Sequence, residues 1–110
     1  MDLNELVAAL GEIERAAHDF LDASASAEQH LLEVLRRRNA ALNEPYGFDS
    51  DTDALRSRVW TDCMTILSNL ELAPQHAAGQ QSDMVGTQVQ KLSTLIEGLL
   101  ELVRQLAEKR

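Results

Sequence analysis

Carboxylates stand at alternate positions in "DSDTD", Asp49 to Asp53. A helix–loop–helix calcium site lays out the first half of its oxygen ligands in this way, then needs Gly at position six and a bidentate Glu at position twelve. Here those positions hold Ala54 and Trp60, so calcium chemistry is not expected. Acids at the N-terminus of a helix meet the positive end of its dipole, and that is sufficient reason for them.

The histidines, His18, His30 and His76, share no metal-ligand spacing with one another or with Cys63. Glu14 precedes His18 by four residues and His30 precedes Glu33 by three, so each pair can touch on one helix face. A di-iron carboxylate bundle asks for Glu-x-x-His motifs on facing helices, and none occurs in that order. Surface ion pairing is the expected role, with no metal and no other cofactor. Cys63 falls between Val59 and Ile66 on an apolar stripe and reads as a small buried hydrophobe. No glycine-rich phosphate loop and no Gly-x-Ser-x-Gly elbow is present. Catalysis has no foothold in the sequence, and an enzyme is not expected.

The chain has 110 residues and a net charge of −8, with 45% hydrophobic but only 4% aromatic residues. One domain over residues 1–110 fits that length. Abundant Ala, Leu, Glu, Gln and Arg, with few Gly and Pro, predict an all-α protein. A single cysteine rules out an intramolecular disulfide. No apolar run approaches the ~18 residues that would span a bilayer, and no charged-then-apolar leader opens the chain. The cytoplasm is the default compartment, with no membrane role. The acidic balance argues against nucleic acid, whose phosphates call for a basic footprint.

Three segments carry a helical period, giving helices at about 2–42, 52–72 and 83–109. Pro45 and Gly47 stop the first, with Ser50 or Asp51 as the next cap. The polar "APQHAAGQQSD" ends the second, and Ser82 or Asp83 caps the third. In the first segment Leu3, Leu10, Ala17, Ser24 and Leu31 share one heptad column, while Leu6, Ile13, Phe20, Ala27 and Val34 share the other. The columns pass through "HDFLDASASAEQHLL" without slipping a residue, which predicts one continuous helix roughly 60 Å long. A capping box, Ser26 followed three residues on by Gln29, argues instead for a break there.

With a continuous helix, the fold is an up-down-up bundle of three helices whose long first helix outruns its neighbours. A second copy would cover the excess, with a coiled-coil-like dimer seam at Ala17, Phe20, Ser24, Ala27 and Leu31. With a break near Ser26, four shorter helices close a compact bundle alone.

The function expected is a non-catalytic helical protein that binds another protein through apolar helix faces, as an adaptor, chaperone or regulatory subunit. Trp60 and Met64, four residues apart, flank the stripe of the second segment, with Leu67 linking them to the core. Ile96, Leu100 and Val103 widen the stripe of the third. Aromatic residues and Met are favoured at recognition surfaces, so these six are the candidate partner-binding residues. Glu5, Glu12, Asp19, Arg36, Arg37 and Arg38 form the charged rim. The alternative is an acidic inhibitor in which Asp2, Glu5, Glu12, Glu14, Asp19 and Asp22 occupy a basic or nucleic-acid-binding surface of a partner.

Overall fold

The computed structural model describes residues 3–23, 25–72 and 78–108. They form four α-helices, α1 (Leu3–Ala23), α2 (Ala25–Leu42), α3 (Ser50–Leu72) and α4 (Ala78–Glu108). No strand occurs among the described residues. Each helix packs on two neighbours: α1 on α2 and α4, and α3 on the same two. The result is a four-helix bundle measuring 48 × 21 × 20 Å.

Cross-helix pairs fix the directions. Glu12 of α1 meets Arg38 of α2. Leu42, Asn39 and Arg36, moving back along α2, meet Arg56, Met64 and Glu71, moving forward along α3. Asn69 near the end of α3 meets Gln88 in the first half of α4. Successive helices therefore run up, down, up and down, the topology that short connections favour.

The continuous first helix is corrected by this arrangement. Glu12 and Arg38 are 26 residues apart and would lie ~39 Å apart along one helix, yet they form an ion pair. The break falls between Ala23 and Ala25, close to the capping box. Ser24 itself lies outside the described residues. The heptad columns misled because Ser24 and Ala27, small side chains that mark a stripe weakly, were what carried them across the junction. A hairpin also needs both stripes to face the same core, so matching columns do not by themselves distinguish it from a straight helix.

Each helix contributes the stripe its sequence lays out. Leu6, Leu10, Ile13 and Ala17 of α1 are fully buried, as are Leu31, Val34, Leu35 and Leu42 of α2. Val59, Cys63 and Ile66 of α3 and Val89, Leu92, Ile96, Leu99 and Val103 of α4 complete one continuous core. Burying a Leu or Ile side chain contributes about 1.5–3 kcal/mol, so these stripes are the principal reason the helices associate. Leu21 is the single large apolar side chain counted as exposed among the described residues.

Two boundaries differ from expectation. α4 begins at Ala78 rather than near Ser82. The cap of α3 is Asp49, one residue ahead of Ser50: the Thr52 backbone N–H donates to Asp49 Oδ1 at 2.8 Å. The Thr52 hydroxyl first, and this backbone bond second, hold the Asp49 carboxyl below the usual carboxylate range.

Candidate functional site

The connection from α2 to α3 decides which side chains line the seam between them. Gly47 takes φ +73°, a left-handed conformation open to glycine without steric cost. On either side of it Tyr46 and Phe48 stack at 5.4 Å between ring centroids, with 20° between their planes. The Tyr46 hydroxyl donates to the Ala41 carbonyl, and the Arg56 guanidinium donates to the Leu42 carbonyl. Both satisfy carbonyls that the end of α2 leaves without a helical partner. Arg56 also bonds Asp53 Oδ1 at 2.8 Å with a side chain that is only 12% exposed. It thus ties the end of α2 to the first turn of α3.

One and two turns beyond Arg56 on the same face stand Trp60 and Met64. Both are half-buried and pack against the core. The Asn39 amide donates to Met64 Sδ at 3.4 Å across the seam. Further along, Arg36 pairs with Glu71 at 3.4 Å. The seam therefore carries a half-buried Trp–Met pair followed by an exposed ion pair.

The other candidate residues lie elsewhere. Leu67, Ile96, Leu100 and Val103 are buried in the core, because α3 and α4 each pack on two neighbours and a wide apolar arc is what that requires. Of the expected dimer seam, Ala17, Phe20, Ala27 and Leu31 are buried within the one chain, and Ser24 lies outside the described residues. Glu5 and Asp19 are exposed on α1.

The arginines of "RRRN" act across helices. They stand ahead of the last turn of α2. Arg37 and Arg38 both bond Glu12, Arg38 Nε lying 2.6 Å from Oε2. The Arg38 hydrogen bond leads in holding the Glu12 carboxyl below its ordinary range, and Arg37 adds to it. Ala8, Glu12, Arg15 and Asp19 of α1, with His30 and Arg38 of α2, line an open groove of about 500 Å³. Positive and negative groups alternate in it, so it favours neither an anion nor a cation.

Cys63 is buried, and burial, with Asp62 beside it, pushes its thiol up to about 12. The thiolate needed for nucleophilic work is out of reach at neutral pH. In the acidic "DSDTD" segment, Asp49 caps α3 and Asp53 pairs with Arg56.

Reasoning from the sequence missed two relationships. Arg56 as a clamp could have been anticipated only from its place one turn into a capped helix. The approach of α4 to Glu14 and His18 had no local signal, because Glu97 lies 79 residues beyond His18. His18 Nε2 stands 3.3 Å from the Ser93 hydroxyl and 3.9 Å from Glu97 Oε1. Ser93 is one of two buried polar residues, with Thr52, among the described ones.

The class these features define is an antiparallel four-helix bundle, closed on itself and acidic. Comparison of the chain with protein-family models, with curated proteins and with solved structures finds no match. Among the described residues no helix is long and apolar enough to cross a membrane.

Proposed function

We propose that the protein is a non-catalytic interaction module that holds a protein partner on the α2–α3 seam, with Trp60 and Met64 as anchors. The single observation that carries this reading is that both are half-buried on one face of α3, with Met64 bonded by Asn39 and the Arg36–Glu71 pair two turns further along. Most of the remaining apolar stripe residues are closed inside the bundle, with Val7, Leu55 and Leu95 left half-buried against the core. A rim of charge around a central aromatic is the usual anatomy of a recognition surface. The burial of Ala17, Phe20, Ala27 and Leu31 in one chain leaves them no part in pairing two copies, so the reading is of a partner other than a second copy. Non-catalytic action is consistent with a buried, protonated Cys63.

The acidic-inhibitor alternative draws on α1, but Glu12 is already neutralised by two arginines. Charge reversal at Glu5 and Asp19 separates the ideas: an inhibitor loses its partner, whereas the seam module keeps it.

A photo-crosslinking residue placed at position 60, and separately at the exposed Thr94 of α4, tests the seam in cells of the native host. Position 60 is expected to give one discrete adduct that disappears with Met64→Asp while the helical spectrum is retained. Once that partner is in hand, Trp60→Ala is expected to weaken binding by about 30-fold or more, the cost of losing a hot-spot anchor. Identical adduct patterns at the two positions would overturn the proposal.

A further inference from the structure

Three side chains of metal-ligand type converge where α1 and α4 close the bundle. Glu14 and His18 stand one turn apart on α1, and Glu97 approaches from α4. One ligand atom from each lies within 4.8 Å of the other two. Two helices unconnected by any short loop supply them, so the convergence is a product of the fold.

A second observation points to a ligand. Glu14 Oε2 is shielded from solvent and has no hydrogen-bond partner among the described residues. Leaving a carboxylate oxygen dry and unpaired is costly, and a nearby cation or donor is the ordinary remedy. The same cation would relieve the repulsion between Glu14 and Glu97. The Ser93 hydroxyl does not meet this need, since its contact is with His18.

We propose that Glu14, His18 and Glu97 bind a divalent transition-metal cation that staples α1 to α4. One imidazole and two carboxylates make a nitrogen–oxygen set suited to zinc and its neighbours. At metal–ligand distances near 2.0–2.1 Å, tetrahedral ligands stand about 3.3 Å apart. His18 Nε2 and Glu97 Oε1, at 3.9 Å, reach that spacing by side-chain rotation alone. His18 and Glu97 are 53% and 60% exposed, so the ion enters from solvent and water completes its coordination. A cation on His18 Nε2 would displace the Ser93 hydroxyl from that nitrogen and leave it free to bond that water.

Zinc is the probe. Titration against a chromophoric zinc chelator is expected to show one tight site per chain, unaffected by millimolar magnesium. His18→Ala and Glu97→Gln should each weaken it at least about tenfold, since even outer-shell partners of a metal are worth about 10–100-fold. His30→Ala, on the far side of α1, should leave it unchanged. Zinc should also raise the thermal midpoint of the wild-type chain and not that of His18→Ala, because a ligand of the folded state alone stabilises by mass action. Circular dichroism of each variant shows whether it is folded. Zinc held equally well by wild type and His18→Ala would overturn the proposal, as an adventitious ion only. Binding lost to millimolar magnesium would also overturn it.

Discussion

Arg38 of α2 donates from Nε to Oε2 of Glu12 on α1 at 2.6 Å, across 26 residues of chain. That one pair excludes a straight helix through residues 22–28 and makes the first two helices a hairpin. Spin labels at positions 12 and 38 are expected to report a separation far below the ~39 Å of a continuous helix. A distribution centred near that longer distance would restore the long helix and its exposed stripe.

The same pair sets a pH dependence. Glu12 has a folded-state pKa lowered from 4.5, first by the Arg38 hydrogen bond. A carboxylate with a lowered pKa contributes stability that is fully present above its unfolded value and is lost as pH falls through its folded value. Chemical denaturation of wild type and Glu12→Gln should therefore differ above about pH 4.5 and converge as the solution is acidified below it. Both arginines are more than a third exposed, so the difference should be at most about 1 kcal/mol. A gap that widens on acidification would contradict the assignment.

Arg56 carries a larger share, because its guanidinium is nearly enclosed and bonds a helix-terminal carbonyl. Arg56→Ala is expected to cost about 1.5–3 kcal/mol, the range for hydrogen bonds involving a charged group. Trp60 is the only tryptophan and lies one turn away, so its emission should shift in the same variant. An unchanged urea midpoint would show that the clamp does not hold the seam.

Asp49 should behave as a cap. Asp49→Ala is expected to lower the thermal midpoint, and Asp49→Asn to recover most of it, since asparagine caps as well as aspartate. If Ser50 were the true cap, Ser50→Ala would show the loss and Asp49→Ala would not.

These relationships mark how far the sequence could be read. The all-helical class and the stripes from Leu6 to Ala17, Leu31 to Leu42 and Val89 to Val103 follow from composition and a 3.6-residue period, both local properties. The hairpin of α1 and α2 was obscured because Ser and Ala suit a helix interior and a turn alike, so only the box at Ser26 signalled it. Trp60 and Met64 flank the stripe of their segment four residues apart, a local spacing that the sequence displays. Ile96, Leu100 and Val103 looked available for a partner because a wide apolar arc serves two neighbouring helices or an external one equally well. His18 facing Glu97 depends on how α4 returns along α1, which no local spacing records.

Cys63 offers the most direct check on the core. Its thiol is buried and raised to about 12, so a thiol reagent at mildly alkaline pH should react only through molecules that have opened. When opening and closing are fast, the labelling rate follows the population of the open form. Ile66→Ala removes a fully buried side chain one turn away and should cost about 2–5 kcal/mol. Labelling of Cys63 should then accelerate roughly 30-fold to several-thousand-fold, one factor of ten for every ~1.4 kcal/mol lost. The exposed Thr94→Ala should leave the rate within about twofold, as surface changes usually alter stability by no more than ~0.5 kcal/mol. Rapid labelling of the wild-type chain, indifferent to Ile66→Ala, would mean that the thiol meets solvent in the folded state and that α3 presents a different face to the core.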